Sequence, residues 1–242
     1  WNTIPTSTTS WRIAANPRPA PVNLALIMIK AVLFDFDGTL ADTAPDLGHA
    51  LNRQRTARGL PELSIAEIRP LASAGSRGLL GLGFNIKPGD HGYESMRDEF
   101  LDFYTERLCH DTCLFPGVDA LLIQLEKRSL PWGIVTNKPA RFAHPLIHEL
   151  GLAQRVACII CGDEIANTKP HPEPLLTASH KIDIAPAHCI YLGDDIRDVQ
   201  ASLAAGMQPV VARYGYLGNE QPPEAWGARH LIDHPEELLA YL

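Results

Sequence analysis

Two aspartates, Asp35 and Asp37, are the first residues whose type and spacing could support chemistry. They stand directly after an apolar run, Val32-Leu33-Phe34, and just before Gly38-Thr39. Side chains alternate along a strand, so two acids that are two residues apart can face the same way. A turn with an aspartate cap explains one of these acids but rarely needs both beside a threonine. The pair therefore predicts a ligand site at the carboxyl end of a strand, where open α/β sheets bind their ligands.

Three further acids occur within five residues, in the segment Gly193-Asp194-Asp195-Ile196-Arg197-Asp198. Their carboxylates would repel one another without a cation, and hard oxygen ligands with open positions favour Mg²⁺. An aspartate at the start of a helix is stabilised by ~0.3–1 kcal/mol through the helix dipole. That effect explains one of the three acids, but not all of them. We therefore expect a magnesium site at this segment.

Residues suited to binding an anion occur in two other loops. Thr136-Asn137-Lys138-Pro139 follows the apolar run Trp132–Val135 and offers a hydroxyl, an amide and free backbone N–H groups before a helix. Lys169 lies in a loop with several prolines, Asn167-Thr168-Lys169-Pro170-His171-Pro172, which restrict where its side chain can point. Threonine and asparagine are also common helix caps, and a lone loop lysine is usually a solvated charge. Each signal is weak alone, and only the joint pattern gives it weight.

The elements that must position these residues alternate between strands and helices. This alternation predicts a parallel sheet with helices on both faces, so the fold class is α/β. The predicted strands are Ile29–Phe34, Trp132–Val135, Val156–Ile160, Cys189–Leu192, Pro209–Ala212 and His230–Ile232. The predicted helices between them include Val118–Lys127, Pro174–Lys181 and Ile196–Ala205, the last with Gly206 as its C-terminal cap.

One interval, 44–115, interrupts the alternation. It contains no predicted strand and several helical stretches, at Leu47–Arg58, Ile65–Leu71 and Ser95–Leu108. We therefore predict a small all-helical domain over residues 44–115, inserted into a Rossmann-like core made of residues 28–43 and 116–242.

Composition and charge restrict the class of protein. Hydrophobic residues make up 45% of the 242 residues, which is ample for a packed core and excludes a disordered chain. No run of about 18 apolar residues is present, so no membrane span is expected. The formal net charge of −7 argues against nucleic acid or an anionic membrane as the main partner.

The cysteines and the first residues of the chain bear on compartment and processing. Five cysteines are too few for a disulfide scaffold, and we expect reduced thiols in a cytoplasmic protein. Cys158 and Cys161 have the spacing of a redox or zinc site, but they lie in an apolar run and we interpret them as core residues. Residues 1–27 are rich in Thr, Ser and Pro without periodicity, and we interpret them as a disordered leader or tag.

Taken together, the four loop motifs resemble those of the haloacid dehalogenase superfamily of phosphatases. They supply, in order, an Asp-x-Asp pair, a Thr-Asn pair, a lysine and a Gly-Asp-Asp-x-x-Asp segment, and the resemblance covers residues 29–242. The helical insert looks like the α-helical cap of that superfamily. The sequence is most similar to the phosphoglycolate phosphatase branch, and three segments look like the bacterial N-acetylmuramate 6-phosphate phosphatases within it: Trp132–Ala143, Arg213–Tyr216 and Trp226–Ala228.

The resemblance implies roles for the acids of the first motif. Asp35 would be the nucleophile that takes the phosphoryl group as an aspartyl-phosphate, and Asp37 would protonate the leaving oxygen and then activate water. Mg²⁺ would be held by Asp35, the backbone carbonyl of Asp37, and Asp194.

The same resemblance assigns the remaining motif residues. Thr136, the backbone at Asn137 and the ammonium group of Lys169 would bind the oxygens of the transferring phosphoryl group. Asp195 and Asp198 would lie behind the metal ligands and orient ligands or water.

The implied function is Mg²⁺-dependent hydrolysis of a small phosphorylated metabolite, either 2-phosphoglycolate or N-acetylmuramate 6-phosphate. Both compounds carry a carboxylate, which Arg77 in the small-residue segment Ala72–Gly78 could bind. Arg77 could equally be an exposed residue at a helix end. A sugar phosphomutase that uses the same core site and a non-catalytic regulatory binding protein remain as alternatives, and the sequence does not indicate an oligomeric state.

Overall fold

A computed structural model describes residues 28–218 and 221–242, and the predicted leader 1–27 lies outside these ranges. The strands are β1 (Ala31–Phe34), β2 (Ala41–Asp42), β3 (Cys113–Leu114), β4 (Trp132–Val135), β5 (Cys158–Ile160), β6 (Cys189–Gly193), β7 (Gln208–Ala212) and β8 (His230–Ile232). The α-helices are α1 (Ala44–Thr56), α2 (Ile65–Ile68), α3 (Gly75–Phe84), α4 (Tyr93–Glu106), α5 (Val118–Lys127), α6 (Ala140–Glu149), α7 (Glu173–Lys181) and α8 (Ile196–Ala205). Short 3₁₀ helices cover Arg69–Ala74, Pro186–His188, Pro223–Ala225 and Pro235–Tyr241. Within the described residues, no helix is both long and apolar enough to cross a membrane.

The main sheet has six parallel strands in the order β5-β4-β1-β6-β7-β8. β1 lies in its interior, where Val32 stands opposite Trp132 of β4 and Ile190 of β6. All four residues of β1 are buried, as expected of a parallel strand that is covered on both faces. The predicted α/β fold class is confirmed, and each predicted strand agrees with an observed one to within about two residues.

Alternate residues of β1 pack against helices on opposite faces of the sheet. Val32 and Phe34 belong to an apolar cluster with residues of α5 and α6. Ala31 and Leu33 belong to a second cluster with residues of α7 and α8. This alternation follows from the two-residue period of a strand. Helices on both faces therefore support the strand that carries Asp35 and Asp37 at its carboxyl end.

Helices α1 to α4 form a separate group, called here the helical group, around an apolar cluster that includes Leu51, Leu80 and Phe100. The two chain segments that join this group to the sheet run side by side, because β2 pairs antiparallel with β3. β3 lies inside the interval 44–115, where no strand is predicted. A strand of two residues is too short to leave an alternating pattern in the sequence.

Helix α3 is absent from the sequence-based prediction. Its ten residues include four glycines, and a glycine costs roughly 1 kcal/mol relative to alanine inside a helix. The structure shows why one of them is needed, since a Cβ atom at Gly83 would lie 2.6 Å from Leu51. Glycine therefore allows α3 to pack closely against α1. The predicted helix Ile65–Leu71 also ends early, at Ile68, and continues as a 3₁₀ helix.

Candidate active site

The carboxyl edge of the main sheet carries the residues that the sequence singles out. Asp35 directly follows β1, Thr136 follows β4 and Asp194 follows β6, while Lys169 lies in the loop between β5 and α7. Each of these four residues is at most 7% exposed. Because the strands are parallel, their carboxyl ends meet at one edge. The structure thus brings the four sequence motifs together.

The ammonium group of Lys169 lies among acidic side chains. Its Nζ is 2.8 Å from Oδ1 of Asp35 and 2.7 Å from Oδ1 of Asp198, and it donates a 2.8 Å hydrogen bond to the Tyr191 hydroxyl. Burial disfavours the charge, but the carboxylates of Asp198 and Asp35 raise the pKa of Lys169 above its ordinary value. Lys169 is therefore a fixed cation beside Asp35. An anionic substrate would need such a cation to offset the negative charge of the Asp35 carboxylate.

The side chain of Asn137 holds the loop that carries Lys169. Its Nδ2 donates to the backbone oxygen of Lys169 at 2.9 Å, and its Oδ1 accepts from the backbone N–H of Lys169 at 3.0 Å. The amide group thus links two motif loops. The neighbouring Thr136 hydroxyl accepts from the backbone N–H of Lys138 at 3.1 Å, so its own proton is available for a ligand.

Asp194 is fully buried and receives hydrogen bonds from both parts of the molecule. Its Oδ1 accepts from the Thr39 hydroxyl at 2.9 Å. Its Oδ2 accepts from the backbone N–H of Tyr216 at 2.9 Å and from the hydroxyl of Ser73, in the helical group, at 3.2 Å. Only glycine fits beside it at position 215, because a Cβ atom at Gly215 would lie 2.3 Å from the Cβ of Asp194.

Asp195 and Asp198 both contact the start of α8. The Asp195 side chain caps the helix by accepting from the backbone N–H of Arg197, and the Asp198 carboxylate accepts from the backbone N–H of Asp195 at 3.0 Å. Asp195 also forms a 2.7 Å ion pair with the Arg197 guanidinium. Helix capping therefore accounts for the position of Asp195, whereas Asp198 also faces Lys169.

The carboxylates of Asp35, Asp194 and Asp198 form a buried cluster in which potential ligand atoms lie within 4.8 Å of one another. Burial raises the pKa of Asp35 to about 7, although Lys169 opposes the shift. Burial and the two neighbouring acids raise the pKa of Asp194 well above its ordinary value. Apart from its ion pair with Lys169, Oδ1 of Asp35 has no polar partner among the described residues. A divalent cation would offset the repulsion among the three carboxylates and keep Asp35 ionised. The cluster therefore fits a hard metal ion.

Lys138 contacts Asp37, although the sequence motifs assign it no such role. Its Nζ lies 2.9 Å from Oδ1 of Asp37, with the two side chains 7% and 14% exposed. The Thr43 hydroxyl donates to the same oxygen at 2.5 Å. Although burial disfavours the charge, Asp37 raises the pKa of Lys138 above its ordinary value. The sequence feature that could have indicated this role is the position of Lys138 directly after the motif residues Thr136 and Asn137.

Tyr216 connects the acid cluster to the entrance of the helical group. Its hydroxyl accepts from the backbone N–H groups of Thr43 at 2.7 Å and Ala44 at 2.9 Å, and it donates to Oδ1 of Asp42 at 3.0 Å. Its own backbone N–H donates to Asp194. One residue therefore contacts both the predicted metal site and the first turn of α1.

A cavity of about 420 Å³ lies between this edge of the sheet and the helical group. Asp35, Asp37 and Lys169 line it from the core, and Arg77, the predicted substrate contact, lines it from the helical group. Tyr104 of α4 also lines it. Tyr104 is 1% exposed, and the Lys138 ammonium lies 4.9 Å from the centre of its ring. The cavity thus combines the motif residues with a polar group from the helical group.

The chain is similar to proteins of known sequence and structure along most of its length. A family model described as haloacid dehalogenase-like hydrolase matches residues 32–212. The N-acetylmuramic acid 6-phosphate phosphatase of Pseudomonas putida is 43% identical over 210 residues, which cover 87% of this chain and 94% of that protein. A phosphoglycolate phosphatase of Xanthomonas campestris pv. campestris is 43% identical over 209 residues, which cover 86% and 94%. The crystal structure of CbbY from Rhodobacter sphaeroides in complex with phosphate aligns with a TM-score of 0.70 at 25% identity, covering 89% and 99%.

Proposed function

Because this chain belongs to the haloacid dehalogenase-like hydrolases, we propose that it is a phosphatase of a small phosphorylated metabolite that acts through an aspartyl-phosphate. The observation that carries this mechanism is the surroundings of Asp35. Its buried carboxylate lies at the carboxyl end of β1, 2.8 Å from the Lys169 ammonium and within a cluster of acids suited to a cation. A nucleophile, a cation and a metal-binding set are therefore adjacent.

The proposed reaction has two displacement steps. In the first, a carboxylate oxygen of Asp35 attacks the phosphorus, the bond between phosphorus and the ester oxygen breaks, and Asp37 gives that oxygen a proton. In the second, water attacks the phosphorus of the aspartyl-phosphate and gives a proton to Asp37. The bond between Asp35 and phosphorus then breaks. Inorganic phosphate leaves, and both aspartates return to their starting states.

Three groups are proposed to bind the phosphoryl oxygens: the Thr136 hydroxyl, the backbone N–H of Asn137 and the Lys169 ammonium. Phosphoryl transfer depends mainly on positioning and charge neutralisation. Asp198 and Tyr191 hold Lys169 in place, so the cation needs no reorganisation during the reaction.

We propose Mg²⁺ as the metal ion, since carboxylate and carbonyl oxygens suit it. Asp35, Asp194 and the backbone carbonyl of Asp37 would hold it. When bound, it would neutralise charge on the phosphoryl group. Asp198, by holding Lys169, and Asp195, by capping α8, would keep these groups in position.

The candidate substrates are those named for the relatives, N-acetylmuramic acid 6-phosphate and phosphoglycolate. Both carry a carboxylate, and Arg77 is the proposed contact for a substrate carboxylate that can reach it. Residues 44–115 are proposed to act as a cap that binds the leaving group and so determines substrate specificity, since Arg77 and Tyr104 of this segment line the cavity.

We propose a cytoplasmic enzyme whose partner is this small phosphomonoester, without a nucleic acid or membrane partner. The unpaired state of all five cysteines supports this compartment. The net charge of −7 disfavours binding to anionic polymers or lipids.

A phosphate-release assay tests the proposed function. We expect hydrolysis of p-nitrophenyl phosphate and of at least one of the two metabolites in the presence of Mg²⁺, and loss of this activity in excess EDTA. An unchanged rate in EDTA would refute the metal requirement. No release from any of the three compounds by the folded protein would refute the phosphatase.

A further inference from the structure

The arginines that line the cavity differ in whether an acid neutralises them. Four arginines line it: Arg77, Arg97, Arg141 and Arg197. Arg97 lies 2.5 Å from Glu94, and Arg197 lies 2.7 Å from Asp195. Across residues 28–218 and 221–242, the side chains of Arg77 and Arg141 form no ion pair and no hydrogen bond. The Arg141 guanidinium lies 4.5 Å from the centre of the Phe142 ring. Two cations of this cavity are therefore free to bind an anion.

These two arginines come from opposite walls of the cavity. Arg77 lies in the first turn of α3, in the helical group, and Arg141 lies in the first turn of α6, in the core. Both are exposed, whereas Asp35 and Lys169 are buried. The proposed phosphate site therefore lies at the floor of the cavity, and the free guanidinium groups lie at its mouth.

The lining of the cavity is mostly apolar. Leu47, Ala72, Phe100 and Phe142 line it and are buried. The Tyr104 hydroxyl also lies on this wall, next to the Lys138 ammonium, and burial raises its pKa to about 12. It therefore stays protonated and can bind a hydroxyl or carbonyl oxygen of a substrate. An apolar wall with one such group suits the ring of a sugar.

We propose that Arg77 and Arg141 form a two-sided site for a second anionic group of the substrate, a carboxylate that is remote from the phosphate. This inference rests on the proposed function and refines it. Guanidinium groups bind carboxylates through paired, charge-assisted hydrogen bonds. Because Arg141 belongs to the core and Arg77 to the helical group, the site is complete only when both arginines contact the same carboxylate.

Size and reach favour a sugar acid phosphate over phosphoglycolate. The cavity volume of about 420 Å³ lies within the range of roughly 300–1,000 Å³ that is typical of sites for small organic ligands. In 2-phosphoglycolate a single carbon separates the carboxylate from the ester oxygen, so a phosphate on the floor keeps the carboxylate near the floor. In N-acetylmuramate 6-phosphate the carboxylate lies across the sugar ring from the phosphate. Such a group can reach the mouth, where the free arginines lie.

A matched pair of substrates tests this site. N-acetylglucosamine 6-phosphate lacks only the lactyl ether that gives N-acetylmuramate 6-phosphate its carboxylate. We expect the wild-type kcat/KM to be at least ~10-fold higher for the compound with the carboxylate. Arg77→Gln and Arg141→Gln should each remove most of that preference, because they should lower kcat/KM about tenfold more for N-acetylmuramate 6-phosphate than for N-acetylglucosamine 6-phosphate. Arg97→Gln, which removes a paired guanidinium from the same cavity, should keep the preference.

The outcomes separate this inference from the proposed function. A wild-type protein that hydrolyses p-nitrophenyl phosphate but does not prefer the carboxylate-bearing sugar overturns the inference alone. The inference is also overturned if Arg77→Gln and Arg141→Gln lower kcat/KM equally for both sugars. It is overturned as well if Arg97→Gln reduces the preference for the carboxylate-bearing sugar as much as they do. If the wild type hydrolyses nothing, the proposed function fails. Calorimetric Kd values for both sugars, measured with Asp35→Asn alone and combined with Arg141→Gln, then decide whether the carboxylate site exists.

Discussion

The ammonium nitrogen of Lys138 lies 2.9 Å from Oδ1 of Asp37, and the pair is largely shielded from water. The contact orients the residue that is proposed to move protons in both steps. Asp37 has two carboxylate oxygens, and Lys138 and Thr43 both bind Oδ1. Oδ2 is then the oxygen left to face the ester.

The Lys138→Met variant tests this relationship. Without the ammonium group the Asp37 carboxylate loses its buried partner, so we expect kcat to fall ~10–100-fold and the free energy of unfolding to fall by about 2–3 kcal/mol. Steady-state kinetics and urea unfolding measure the two effects. Lys127→Met, at the exposed end of α5, is the control that should change neither. An unaltered kcat in a folded Lys138→Met protein would exclude the positioning role.

Asp35→Asn is expected to abolish turnover and to preserve the fold. An amide cannot act as the nucleophile, whereas its shape fits the same space, and Lys169 keeps Asp198 as a partner. Phosphate release and circular dichroism together test this expectation. Mass spectrometry must exclude deamidation back to aspartate, and full activity after that check would reject Asp35 as the nucleophile.

The stability of the metal-free protein should depend on pH through Asp35. Burial raises the pKa of Asp35 to about 7, above its ordinary value near 3.9. Between about pH 4 and pH 7 the folded state then retains a proton that the unfolded state has released, so the free energy of unfolding decreases as pH rises. We expect urea unfolding in EDTA to show this decrease, and Asp35→Asn to reduce it.

The matching experiment adds Mg²⁺. The ion should bind the folded state only and raise the free energy of unfolding by ~2.7 kcal/mol at one hundred times its Kd. This gain should be larger above pH 7, where the carboxylates need a cation most. Asp194→Asn should remove most of the gain, while Asp98→Asn, on the exposed face of α4, should keep it. A full Mg²⁺ gain in Asp194→Asn would place the metal elsewhere.

Tyr216→Phe is expected to destabilise the entrance of α1. The variant loses three hydrogen bonds of the Tyr216 hydroxyl and leaves the N–H groups of Thr43 and Ala44 without their partner. A cost of about 2–3 kcal/mol in the free energy of unfolding follows. Tyr214→Phe, which removes one hydrogen bond to the Thr39 carbonyl, should cost less. Equal costs in the two variants would argue against the special role of Tyr216.

The thiols should react in an order set by exposure and pKa. Cys113 is exposed, whereas Cys158, Cys161 and Cys189 are buried. Burial raises the pKa of Cys158 and Cys189 to about 11 and that of Cys161 to about 12. A disulfide reagent at pH 8 should therefore label Cys113 first and the three buried thiols only on unfolding. Rapid labelling of Cys158, Cys161 or Cys189 in folded Cys113→Ser, located by peptide mass spectrometry, would contradict this order.

Several elements could be predicted from the sequence because their signals are local. β4 and α8 match their predicted bounds, Trp132–Val135 and Ile196–Ala205. An apolar run between loop signals marks a buried parallel strand. Gly206, with φ of +73°, ends α8 in the left-handed conformation that glycine favours. The four motif loops could also be placed at one edge, since parallel strands end on the same side.

Other features depend on contacts that no local pattern encodes. Helix α3 forms despite its glycines because it packs on α1. Lys138 meets Asp37, and the Tyr216 hydroxyl meets the first turn of α1, across sequence separations of 101 and more than 170 residues. Such pairings follow from the folded topology alone.

The central position of β1 has a consequence for how the chain folds. β1 is synthesised before both of its partners, Trp132–Val135 and Cys189–Gly193. At ribosomal rates of about 5–20 residues per second, β6 follows β1 by roughly 10–30 s. The four helices of 44–106 are complete within that interval and have their own apolar cluster. The strand that carries Asp35 therefore cannot pair until β4 and β6 have been synthesised. Because these partners are far away in sequence, we expect the assembly of this edge of the sheet to be a slow folding step.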